Sequence, residues 1–246
     1  MKRSTREASR TDVRSFLREA ERAISDLGER PTEIHIQLVG TDKLITAKGG
    51  GGLIVEAAYA IAEAPLEIED ISWDDVGPGS KRLAKLNSLG QVPTLVLADG
   101  SIMTESAAIV LRLADLLPDG RLAPPALHAQ RAQFLRWLAF LVAALYPTFT
   151  YGDSPARWVG DEAGPKLRAS TDAHREKLLR FLDAEVAGAP WFLGKRFSAL
   201  DLYFPVLRMW RPGKDWWRAN APKLNAIADR CEALPPVKRA FARNRA

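Results

Sequence analysis

Apolar residues recur at helical spacing in Val13, Phe16, Leu17, Ala20, Ile24 and Leu27, which predicts an amphipathic helix over residues 11–28. Thr11 or Asp12 can cap it, and Gly28 ends it with Pro31 just beyond. Thr32–Val39 then alternates, with Ile34, Ile36 and Leu38 on one face, the pattern of a short strand. Residues 1–42 are therefore expected to be an N-terminal extension, a packing arm over the main body, with a partner-binding helix as the alternative. From Lys43 the pattern changes. Lys43–Ala47 predicts a strand, Gly49 to Gly52 form a glycine run, Leu53–Glu63 predicts a helix and Leu66–Ile71 a second strand. A loop at 74–80 leads to Lys81–Leu86, at most a short helix. Pro93–Ala98 and Ser101–Met103 flank the hairpin signal Asp99 and Gly100, and Thr104–Leu117 predicts a helix closed by Pro118, Asp119 and Gly120.

Beyond Pro124 and Pro125 the pattern is helical: Ala126–Tyr146, Pro165–Val186, Ala199–Trp210 and Pro222–Leu234. The order is βαβ, a connection, ββα, then helices alone. It predicts a mixed α/β unit over residues 43–121 joined to an all-helical unit over residues 122–246.

Composition narrows this picture. With 246 residues and 47% hydrophobic content the chain can bury a real core and is not disordered. A single cysteine, Cys231, excludes an intrachain disulfide framework and any Cys-based zinc or iron–sulfur cage, and suits a reducing compartment. It falls among Ala and Leu of the last predicted helix, as a buried, inert thiol does. The net charge of +5 gives no argument for nucleic acid. It is unevenly spread: residues 1–42 are neutral, 43–124 carry −4 and 125–246 carry +9. No apolar segment follows Met1 to Arg6, acidic residues interrupt any presequence, and the run Trp137–Tyr146 is about half the ~20 residues a membrane helix needs. The expectation is a soluble cytoplasmic protein with no membrane partner. His35, His128 and His174 stand on separate elements, so no metal is expected.

Two stretches carry chemistry, Asn87–Leu95 and Asp99–Ile109. Pro93 stands at a strand start, where a cis bond would turn the backbone groups of Val92 toward an extended peptide ligand. Glu105 and Ser106 open a helix whose N–H groups and hydroxyl suit a carboxylate, while Glu105 suits an ammonium. Together they suit the zwitterionic end of an amino acid. At the start of the Ala199 helix, Ser198 and Asp201 have the spacing of a capping box, with Phe197 and Leu202 placed as its hydrophobic staple.

Taken in order and spacing, Asn87–Leu95, Thr104–Ile109 and Phe197–Tyr203 resemble the bacterial-type glutathione transferase family over residues 43–246. The resemblance implies a thioredoxin-like α/β domain followed by an all-α helical domain, with glutathione as substrate, no metal, and a homodimer. It implies that Val92 beside cis-Pro93 pairs with the cysteinyl part of glutathione. Gln91 then reaches the glycyl end, and Glu105 and Ser106 hold the γ-glutamyl group.

The sequence departs from the family where a Tyr, Ser or Cys should meet the glutathione sulfur. Gly51 falls near that place, in a run that has neither the Gly-Lys-Ser/Thr of a phosphate loop nor a dinucleotide fingerprint. Backbone N–H groups of Gly50 to Gly52 at a helix start are expected to hold the sulfur instead. The second substrate, a small hydrophobic electrophile, is expected against Tyr146, Tyr151 and Trp158, with Trp210 between Arg208 and Arg211 as a second patch. The reaction is thiolate attack, as conjugation, reductive dehalogenation, isomerisation or peroxide reduction. The alternative is a non-catalytic glutathione-fold binding protein.

Overall fold

The computed structural model describes residues 40–117 and 119–245. The helix expected over 11–28 and the strand over 32–39 lie outside the described residues.

Four strands form one sheet in the order β2-β1-β3-β4. Strand β1 (Asp42–Thr46), helix α1 (Gly52–Ala62) and strand β2 (Leu66–Asp70) make a βαβ unit, with Asp42 opposite Leu66 and Thr46 opposite Asp70. Parallel strands need a crossover, and α1 supplies it. Strand β3 (Thr94–Val96) runs antiparallel to β1, and β4 (Ile102–Thr104) antiparallel to β3. Their hairpin turns at Asp99, whose Oδ1 accepts the Ser101 N–H at 2.8 Å, and at Gly100 with φ +85°. Residues 81–86 form turns rather than a short helix.

The remaining helices are α2 (Ser106–Asp115), α3 (Arg131–Phe140), α4 (Tyr146–Asp153), α5 (Ala156–Glu185), α6 (Ala199–Met209), α7 (Lys214–Asn220), α8 (Pro222–Ala233) and α9 (Pro235–Arg245). The helix expected from Ala126 starts only at Arg131, because residues 125–130 are taken up by turns. It does not stop at Tyr146. A π-helical turn, Leu141–Leu145, joins α3 to α4. Pro147 explains this turn: it has no N–H to donate, and its ring crowds the carbonyl one turn back, so the ladder shifts register ahead of it. The stretch Arg131–Asp153 is long and apolar enough to cross a membrane by length and composition. In this fold it sends Phe134, Trp137, Leu141, Leu145 and Phe149 into the core. Helix α5 begins already at Ala156, ahead of the expected Pro165, and breaks at Gly160, whose φ of +77° suits glycine.

One core runs through the sheet and the helices, joining Leu44, Leu53, Leu95 and Ile109 to Leu145, Leu202 and Phe204. The basic end of the chain is docked rather than solvated. In α9 Val237, Ala240 and Phe241 are buried, and burying a side chain such as Phe241 contributes about 1.5–3 kcal/mol. Arg243 pairs at 2.6 Å with both Glu56 of α1 and Asp70 of β2. The acidic middle and the basic C-terminal part of the chain therefore meet at this helix.

Candidate functional site

A cavity of about 630 Å³ opens between the sheet's loops and the α3–α4 helical arm. Its floor is the glycine run. The loop Lys48 to Gly51 leads into α1, whose cap position is Gly51 with ordinary helical angles, φ −62° and ψ −17°. The Gly50 N–H donates to Ala47 O at 3.1 Å and the Gly49 N–H to Asn244 Oδ1 at 3.2 Å, so neither is available to a ligand. Gly51 and Gly52 have no N–H partner among the described residues. The expectation that Gly50 to Gly52 all face a ligand is thus corrected: Gly50 is spent on closing its own turn.

Side chains from three distant elements fix this loop by its backbone. Trp73 Nε1–H donates to Lys48 O at 3.0 Å, Trp210 Nε1–H donates to Gly49 O at 2.8 Å, and Asn244 accepts from Gly49. Asn244 is itself held by Glu56, to which it donates at 2.8 Å. Nothing in the sequence singles out Asn244. Trp73, a lone aromatic in a loop of Asp and Gly, was the one visible signal, and it lines the cavity.

The second wall is the loop before β3. The Val92–Pro93 bond is cis, and Gln91, Val92 and Pro93 line the cavity. Asn87 braces this loop: its Nδ2–H donates to Gln91 O at 3.0 Å and its Oδ1 accepts the Leu89 N–H at 3.1 Å. The third wall is the start of α2. Glu105 holds φ +66°, an arrangement that costs a non-glycine residue of order 1–3 kcal/mol, and Glu105 and Ser106 both reach the cavity. The Ser106 hydroxyl is buried, 3.4 Å from the Tyr203 hydroxyl.

Opposite them, α4 and its approach present Val142, Tyr146, Pro147 and Phe149, with Trp210 beside them. Trp210 packs edge-on against Phe149, ring centres 5.0 Å apart. Tyr146 lies between Tyr203 and Trp210, at 6.0 and 5.9 Å. The Tyr146 ring is partly exposed and lines the cavity, and its hydroxyl oxygen is buried with no hydrogen-bond partner among the described residues. An unpaired buried hydroxyl costs about 1–3 kcal/mol, which marks this one for explanation. Burial holds its pKa well above the usual tyrosine value, and Tyr203 adds to the rise while Ser106 opposes it.

Two expected wall residues are elsewhere. Tyr151 and Trp158 are 42% and 48% exposed, stack on each other with ring centres 4.8 Å apart, and do not line the cavity. The helical turn that points Tyr146 inward points Tyr151 out. Arg208 is also absent from the cavity: it is buried against Asp229 and Glu232, at 2.6 Å from each. Arg211 pairs with Asp153 at 2.7 Å. Ser198 and Asp201 do form the expected capping arrangement and do not line the cavity. Asp201 is fully buried and accepts the Ser198 N–H at 2.8 Å and the Phe192 N–H at 2.9 Å. Burial pushes its carboxyl up to about 7 against the pull of those donors. Cys231 is buried as expected, and burial raises its thiol far above the reactive range. Among the described residues no group of three or more His, Cys, Asp or Glu is gathered that could hold a metal ion.

The four-stranded sheet followed by a helical region matches solved structures of glutathione transferases. The family model described as glutathione S-transferase, N-terminal domain, matches residues 55–116. The uncharacterised GST-like protein YncG of Escherichia coli (strain K12) is 38% identical over 203 residues, covering 82% of this chain and 98% of that one. The glutathione S-transferase GstA of Escherichia coli O157:H7 is 35% identical over 127 residues, 50% of this chain and 59% of that protein. The structure of a sphingomonad glutathione S-transferase complexed with glutathione matches with a TM-score of 0.69 and 27% identity, over 82% of this chain and 98% of that chain. The chain belongs to the glutathione S-transferase family.

Proposed function

We propose that this protein is an enzyme that binds glutathione in the cavity and directs its thiolate at a small apolar electrophile. The observation that carries this reading is the meeting of two unlike walls. Gln91, Val92, Glu105 and Ser106 offer peptide and zwitterion partners on one side, Val142, Tyr146, Phe149 and Trp210 offer an apolar surface on the other, and Gly51 stands between them. Glu105 takes the γ-glutamyl ammonium, Ser106 and its N–H the adjacent carboxylate, and Val92 the cysteinyl backbone. Gln91 takes the glycyl end, where Lys48 adds a positive charge. The thiol proton leaves to water, the thiolate forms a bond to carbon, and the leaving group departs as an anion. A thiol of pKa about 8.5 needs roughly 2.7 kcal/mol of differential stabilisation to titrate two units lower. The open Gly51 amide at the positive end of α1 contributes part of it. The division at residues 43–121 and 122–246, a homodimer and a cytoplasmic location complete the proposal.

The competing reading, a glutathione-binding protein without turnover, is favoured by the missing side chain at Gly51. Calorimetry with glutathione, beside turnover assays with a generic aryl halide and an organic peroxide, decides between them. Binding with turnover supports the enzyme, binding without turnover across several electrophiles supports the competitor, and absence of binding defeats both.

A further inference from the structure

The three glycines at the start of α1 differ in what they leave room for. A Cβ on Gly52 would collide with the Thr46 side chain, and one on Gly50 would lie 3.0 Å from both Ala47 O and the Trp73 indole. A Cβ on Gly51 would meet nothing closer than 4.0 Å, and the two atoms at that distance are Pro93 Cδ and Tyr146 Oη. A side chain at Gly51 would therefore fit in ordinary contact, and the polar atom nearest its Cβ is the Tyr146 hydroxyl, which is buried and has no hydrogen-bond partner among the described residues. Tyr146 is the first residue of α4, placed there by the π-helical turn that Pro147 imposes.

We propose that Tyr146, reaching across from the helical half, donates its hydroxyl hydrogen bond to the glutathione sulfur in the space that Gly51 leaves empty. This rests on the reading that the cavity holds glutathione. A sulfur seated against Gly51 lies between the Gly51 amide and the phenol oxygen. The phenol keeps its own proton throughout, since burial holds it in the neutral form, and the thiol proton goes to solvent. It acts as a donor to the thiolate, which is the form a donor stabilises. The other charged groups lining the cavity are Lys48, Glu105 and Asp153, the last paired with Arg211, and the Tyr203 hydroxyl stands behind Ser106. None of these changes in the variants below.

The test is the thiol pKa of bound glutathione, read from thiolate absorbance across pH, in the wild type, Tyr146→Phe and the double variant Tyr146→Phe/Gly51→Ser. Affinities for glutathione and for S-methylglutathione, which has no thiol, are measured beside it. In Tyr146→Phe the bound thiol pKa should rise by about one unit, a tenfold smaller thiolate fraction at a given pH well below it. Affinity for S-methylglutathione should stay the same, and the serine hydroxyl of the double variant should recover part of the shift. An unchanged thiol pKa in Tyr146→Phe overturns the proposal while leaving glutathione binding intact, and so does an equal loss of affinity for the S-methyl probe. If the wild type binds no glutathione, the functional reading falls and this proposal with it.

Discussion

At the start of α6 the Asp201 carboxyl group accepts two backbone N–H groups and is fully buried, whereas at the start of α1 the cap residue is Gly51, with no side chain to accept anything. The first turn of α1 also carries no acidic residue. Every helix start has N–H groups without intrahelical partners, and a capped one is finished as structure. An uncapped one, held open over a cavity by clamps on the loop before it, keeps its donors for something else. The two halves of the chain differ around the cavity as well. The thioredoxin-like half offers bare backbone at Gly51 and polar side chains at Gln91, Glu105 and Ser106. The helical half supplies side chains, both to hold that backbone, through Trp210 and Asn244, and to line the cavity, through Tyr146 and Phe149.

Substitutions at each helix start should give opposite results. The largest effect is expected from Asp201→Ala, which leaves the Ser198 and Phe192 N–H groups buried without acceptors and should cost about 3 kcal/mol in denaturant unfolding. Glutathione affinity of the folded protein should not change. A loss below about 1 kcal/mol would mean that the α6 end tolerates openness as α1 does. Gly52→Ala comes next: its methyl would overlap the Thr46 side chain, an overpacking cost of about 2 kcal/mol that Thr46→Ala in the same chain should largely relieve. Failure of that relief would show that α1 objects to the residue itself rather than to its contact. The smallest change in stability is expected for Gly51→Asp, which gives α1 the cap it lacks and should move stability by only a few tenths of a kcal/mol. The same carboxylate competes for the amides and repels a thiolate, so the bound thiol pKa should rise by about one unit or more. Unchanged thiol titration in that variant would make the open end of α1 irrelevant to the sulfur.

Much of the site's first wall was legible because its residues are close in sequence. Val92–Pro93 and Glu105–Ser106 depend on local geometry, as does the Ser198–Asp201 cap outside the cavity: the Val92–Pro93 bond is cis, both pairs line the cavity, and the capping box forms. Gly51 lines the cavity at the start of α1, and the contacts around it could only come from the fold. The second wall was half legible. Tyr146 and Tyr151 are both aromatic and five residues apart, but the π-helical turn ahead of Tyr146 sets which of them faces inward. Asn244 was invisible: it meets Gly49 across 195 residues of chain, and no local pattern marks it.

By itself the sequence determined the order of the strands and most of the helices, the family, and the absence of a side chain at Gly51, because propensity, caps and short motifs act within a few residues. Tertiary structure decided how the basic last helix is used, clamping the glycine loop through Asn244 and pairing Arg243 with Glu56 and Asp70. It also decided which hydroxyl faces the gap at Gly51. Those outcomes depend on the packing of elements more than 90 residues apart in the chain, and no pattern along the sequence encodes that distance.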